Sequence, residues 1–188
     1  MMWSMVASGI IVGFAALRLR YNRSSDSFDE AQTNLARGFG VALGATGLYF
    51  FITSIFISFN WSFSFSGGVY NILFGGVGAR GGLVLLAVAA GLYFGKGIQA
   101  ITYFGFVLGC YLISDAWSIM KYSLTANATE STLLYLAAAA PLLISPFAFH
   151  IQSKYVRWVF AIFAFLFAAA WFYFALTVTP THLGSTST

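Results

Sequence analysis

Charge is what this chain has least of. Nine Lys or Arg and five Asp or Glu make up 7% of its 188 residues, against about 25% in an ordinary soluble domain. So few charges cannot keep the surface of a 20.4 kDa globule free of large apolar patches, which excludes a water-soluble monomer. Cysteine is nearly absent as well. The one Cys, Cys110, lies in an apolar stretch; an intrachain disulfide and any two-cysteine redox or zinc arrangement are excluded, and a small packing residue is its expected role. The two histidines, His150 and His182, fall toward opposite sides of the membrane in the arrangement derived below, which excludes bis-histidine haem. No cluster of His, Cys, Asp or Glu has metal-ligand spacing. An acid–base pair, an activated nucleophile and a phosphate-cradling loop are also missing, so the expectation is a non-enzyme with no cofactor and no nucleic-acid partner.

What is present is apolar: 60% hydrophobic residues, 19% aromatic, and a mean hydropathy of +0.83. Disorder is excluded, and the fold class is an all-α integral membrane bundle. A helix crossing about 30 Å of hydrocarbon needs roughly 20 mostly apolar residues. Six stretches qualify: 2–17, which is short and ends at Arg18 and Arg20, then 38–59, 73–94, 98–120, 132–151 and 158–178. These runs are continuous and twice the length of a barrel strand of about 10 residues, which argues against a β-barrel. Residues 20–36 form the one water-exposed stretch of any length. Ser27 and Glu30 there have the spacing of a capping box that would open a short helix. The stretch is too small for a domain, so residues 1–188 read as one membrane domain.

The cations orient the bundle. Arg18, Arg20, Arg23, Arg37, Lys96, Lys154 and Arg157, seven of nine, lie at the connections on one side, leaving Arg80 and Lys121. That side is expected to be cytoplasmic, with stretch 20–36 on it, and both termini and the loops 60–72 and 121–131 outside. The first segment has no cation before it and arginines after it, so it reads as a retained helix rather than a cleaved signal peptide. Of three Asn-x-Ser/Thr tripeptides, those at Asn60 and Asn127 fall on outer loops, where they are glycosylation candidates; the alternative is an unmodified polar loop residue.

Small residues supply the expected helix seams. Gly40 and Gly44, Gly91 and Gly95, and Gly105 and Gly109 each stand four apart, on one face of a helix. Ala137 to Ala140 give the fifth span a smooth patch. Pro141 and Pro146 should then bend it, with Ser145 placed to satisfy a freed carbonyl. Gly47-Leu48-Tyr49-Phe50 is echoed by Gly91-Leu92-Tyr93-Phe94 and by Gly109-Cys110-Tyr111-Leu112, either a relic of hairpin duplication or an accident of composition. The sixth span is apolar all round and is expected to face lipid or another subunit.

Intramembrane charge is where a membrane protein usually shows a task. Arg80 in the third span and Asp115 in the fourth reach similar depth on adjacent antiparallel helices, and a salt bridge is expected between them. The functional alternative is a gate or filter on the outer half, with Asn71 and Tyr111 completing a vestibule. Alternating Phe and Ser in the loop from Asn60 suggests an interfacial lid or anchor, with Trp61 and Tyr70 in the aromatic belt.

Gly47-Leu48-Tyr49 through Asn60-Trp61, followed by Val69-Tyr70-Asn71-Ile72-Leu73-Phe74-Gly75, resembles an uncharacterised membrane family, domain of unknown function 981, found largely in archaea. The resemblance implies a membrane fold and an archaeal cell membrane, and no activity. Six short spans with both termini outside are also the plan of the urea and short-amide channels, whose motifs are absent here, so that likeness is an analogy of topology. Two functional expectations follow. One is an accessory or scaffold subunit of a larger membrane assembly, such as a respiratory or oxidase complex, with other membrane subunits or further copies as partners. The other is a small oligomeric channel or transporter.

Overall fold

The computed structural model describes residues 1–22, 27–60, 71–151 and 153–184. Six helices fall on the six apolar stretches: α1 (Met2–Arg18), α2 (Glu30–Asn60), α3 (Val77–Phe94), α4 (Ile98–Tyr122), α5 (Ala128–His150) and α6 (Lys154–Gly184). A π-helical turn, Asn71–Gly76, runs directly into α3. Five of these helices are long and apolar enough to cross a membrane; α1, at 17 residues, is apolar but shorter. The described chain is all-α, with five helices of the length and apolarity that suggest a membrane protein.

The polar stretch before α2 differs from expectation. Helix α2 starts at Glu30, so the anticipated loop 20–36 is partly the first turns of a membrane helix. The Asp29 carbonyl accepts from Gln32 N and Thr33 N, and Glu30 suits the positive end of the helix dipole. Apolarity alone cannot reveal such a start. Ser27, the expected cap, is instead extended in β2 (Ser27–Phe28), which pairs antiparallel with β1 (Tyr21–Asn22), Tyr21 opposite Phe28. This ribbon lays Phe28 and Tyr21 edge to face at 5.4 Å and brings Tyr21 to Phe149 of α5 at 5.8 Å. Aromatic rings thus gather at the end of the bundle where most of the cations lie. Residues 61–70, the anticipated lid, and Arg23 lie outside the described residues.

The helices pack as three close pairs, α2 on α3, α4 on α5 and α1 on α6. Lighter seams of α1 on α2, α3 on α4 and α5 on α6 close them into a ring. Glycine makes the close pairs possible. A Cβ on Gly40 would stand 2.8 Å from the Ala89 carbonyl oxygen, and one on Gly82 2.7 Å from Phe51 Cα. On α4, a Cβ on Gly109 would stand 3.0 Å from Leu143 Cγ of α5. The α1–α6 pair uses Gly9 and Gly13, also four residues apart, against Ala164 and Phe165. Gly91 faces Ile98 and Ile101 across the turn to α4. In α5, Pro146 removes the donor that would reach the Leu142 carbonyl, and Ser145 Oγ donates to that carbonyl at 2.7 Å, as its position implied.

Candidate functional site

Three close pairs joined by lighter seams leave space inside the ring. A cavity of about 380 Å³ runs there, lined from all six helices, among others by Val12, Leu43, Val84, Leu108, Leu142 and Phe160. Its size is in the range of small-molecule sites. Met5 and Leu19 both line it and are fourteen residues apart on α1 and its cap, roughly 20 Å at 1.5 Å per residue. The cavity is long and follows the helix axes.

Its wall is apolar by construction. The hydroxyls of Ser8, Thr102 and Ser145 each donate to a carbonyl three residues back, at 2.9, 2.7 and 2.7 Å. Tyr135 Oη donates to the Leu73 carbonyl at 2.6 Å, tying α5 to the π-helical turn. Two polar atoms are different. The Tyr21 hydroxyl and the Trp171 indole N–H are buried without a hydrogen-bond partner, and both residues line the cavity. A buried polar group left so costs about 1–3 kcal/mol. Tyr21 stands at the ribbon end, beside Phe28; Trp171 packs with Val6 and Leu134 toward the other end.

A second cavity, about 340 Å³, opens beside α1 and α6 and is lined by Ala16, Leu17, Arg20, Lys154, Arg157 and Trp158. Arg20 and Arg157 line both cavities. Arg157 Nη1 also donates to the Leu19 carbonyl at 3.4 Å, closing the end of α1. These three cations served above only to orient the chain. Their nearness in space depends on α1 and α6, the first and last helices, being neighbours, which no local signal announces.

The residues singled out in the sequence fall elsewhere. Arg80 and Asp115 are on neighbouring helices as expected, but the Arg80 guanidinium lies over the Tyr111 ring, 4.3 Å from its centre. Asp115 Oδ2 is buried with no hydrogen-bond partner. The two charges therefore act on one another through space rather than through a hydrogen-bonded ion pair. Depth along each helix brought them together, and the direction of each side chain around its helix kept them from contact. Asn71 is buried in the π-helical turn, 2% exposed. Arg80, Asp115, Asn71 and Tyr111 are all absent from the wall of the central cavity. His150, at the end of α5, accepts at Nδ1 from Gln99 Nε2 at 3.1 Å and hydrogen-bonds through Nε2 to the Tyr103 hydroxyl, fastening α5 to the start of α4. Asn60 Nδ2 donates to the Phe56 carbonyl at 2.9 Å. Asn127 is the N-cap of α5: its Oδ1 accepts from Glu130 N at 3.2 Å and its Nδ2 donates to Glu130 Oε2 at 2.9 Å. Cys110 is exposed on the outer face of α4. Among the described residues no three His, Cys, Asp or Glu gather as metal ligands.

The chain belongs to the family described as protein of unknown function (DUF981), whose model matches residues 1–185. No curated protein and no solved structure matches it.

Proposed function

We propose that this member of the DUF981 family is a non-catalytic accessory protein of the cell membrane that holds an apolar or amphiphilic molecule inside its helix ring. The observation that carries the reading is the central cavity of about 380 Å³, whose polar wall groups are mostly satisfied by their own backbone. Along most of its length such a wall gives a polar solute little to replace its lost water, whereas an apolar guest gains from leaving water. In this reading all six helices span, the cation-rich connections face the cytoplasm, and both termini face out. Seven of nine cations at one end support it. The resemblance stated above adds an archaeal membrane as the setting, and the guest or the lipid-facing helices supply the contact with a larger assembly.

The channel alternative needs charges facing water in a central path. Arg80, Asp115, Asn71 and Tyr111 lie off the cavity wall, which weighs against it. Native mass spectrometry of the chain released from gentle detergent tests the proposal. A non-covalently bound apolar mass is expected, and it should be lost when Val12→Phe and Ala138→Phe fill the cavity from α1 and α5. Liposomes containing the chain should swell in small solutes no faster than empty ones. A bare chain combined with rapid swelling, slowed by Arg80→Gln or Asp115→Asn, would overturn the proposal in favour of the channel.

A further inference from the structure

We infer that the cleft between α1 and α6 binds the phosphate of an anionic lipid whose chain enters the central cavity. This rests on the cavity reading above and names the class of its guest. Three observations meet at one place. Arg20, Lys154 and Arg157 surround a cavity of about 340 Å³, and two of them also line the apolar cavity, so a cationic mouth adjoins an apolar interior. None of the three makes an ion pair with a carboxylate among the described residues; the side-chain bond from Arg157 to the Leu19 carbonyl uses one of the five guanidinium donors. The cleft also lies at the start of α6, whose first turn holds Lys154 and Arg157 and no acid. Cations there oppose the positive end of the helix dipole, and a bound anion relieves both repulsions at once.

The geometry favours a lipid over a free anion. A phosphate alone would use the cleft and ignore what adjoins it, while an amphiphile uses both: phosphate on the cations, Trp158 beside it at the interfacial level that suits its ring, and chain along the apolar wall. The Tyr21 hydroxyl, buried without a partner where the cavity meets the ribbon, is placed to donate to the oxygens that link head to chain. Basic pockets between membrane helices on the cytoplasmic side are a recurrent means of holding such headgroups.

The full chain in neutral detergent, titrated with dioleoyl phosphatidic acid, dioleoylglycerol or inorganic phosphate and read by native mass spectrometry, tests this. The phosphate-bearing lipid should bind more tightly than dioleoylglycerol. Arg20→Gln with Lys154→Gln should remove about 30-fold of that affinity, at roughly 1 kcal/mol for each cation. Arg37→Gln with Lys96→Gln, which lowers the net charge equally at residues that line neither cavity, should leave it within about threefold of wild type. Equal binding of both lipids, insensitive to the cleft variant, would overturn the headgroup site and leave the cavity reading standing. Binding of neither lipid would overturn both. Inorganic phosphate binding as tightly as the lipid, with the same loss in the cleft variant, would overturn the lipid assignment in favour of a free anion.

Discussion

Helices α5 and α6 begin at opposite ends of the bundle, and their first turns are built from opposite materials. Helix α5 opens with Asn127, which caps Glu130 N and is bonded in return by the Glu130 carboxylate, so an acid stands where the dipole is positive. Helix α6 opens with Lys154 and Arg157 after Ser153, whose Oγ accepts from Tyr155 N at 3.3 Å. The first terminus is complete within the chain. The second is electrostatically incomplete and borders a cleft that adjoins an apolar cavity. A cluster of like charge at a helix start is more informative than an isolated intramembrane charge, because Arg80 already finds the Tyr111 ring whereas the cleft cations find no carboxylate among the described residues.

The largest effect should come from reversing the charge of the incomplete terminus. Arg20→Glu with Lys154→Glu replaces two attractions by two repulsions, and binding of phosphatidic acid should fall by at least about 100-fold, measured by native mass spectrometry. Glu130→Lys at the other terminus should leave that affinity unchanged.

Next in size is the contrast between two tyrosines that line the same cavity. Tyr135→Phe removes the bond to the Leu73 carbonyl and leaves that buried acceptor in the π-helical turn short of a donor, so stability in neutral detergent should drop by about 1–3 kcal/mol. Tyr21→Phe removes a hydroxyl that has no partner among the described residues; the lipid-free protein should lose no stability, and the lipid-bound protein should lose affinity. Thermal unfolding with and without lipid separates the two outcomes.

Much of the frame was legible in the sequence, for reasons that also mark where legibility ended. Apolar length locates a membrane helix because lipid demands it, so the six stretches and the six helices coincide in their cores. Their ends do not: α2 starts inside a polar stretch because a helix needs a cap and a dipole partner there, not apolarity. Ser145 was readable because Pro146 frees one carbonyl and Ser145 is one residue away. Gly9 and Gly13 were equally readable by spacing, yet their partner α6 is the most distant helix in the chain. The cavity was not readable from any one segment, since it arises where three lighter seams meet. Arg80 and Asp115 fall on adjacent helices, as the order of the apolar stretches implies, but which neighbour each side chain meets depends on rotation about the helix axis, and Tyr111 takes the guanidinium.

A smaller effect concerns the complete terminus. Asn127→Ala deletes both bonds to Glu130 and should lower stability by about 1 kcal/mol, a fall of roughly 2–4 °C in Tm for a chain of this size. Anionic lipid should not alter that loss, because the cap is at the far end from the cleft.

The last change carries the sharpest sign. Lys154→Asp removes a cation from the positive end of α6 and sets an acid there, so in neutral detergent without lipid the variant should be more stable than wild type, by about 0.3–1 kcal/mol for each of the two changes. Relief of repulsion from Arg20 and Arg157, which line the same cleft, acts in the same direction. With phosphatidic acid in excess the order should reverse. A ligand that binds only the folded chain stabilises it more the further its concentration exceeds Kd, and the wild type has the lower Kd. Glu130→Lys should be less stable than wild type in both conditions, since α5 has no anion site to complete. Thermal unfolding of the three proteins at two lipid concentrations decides the matter: a Lys154→Asp protein less stable than wild type in both would mean that the cations of α6 serve the packing of α1 against α6, and that its first turn waits for no ligand.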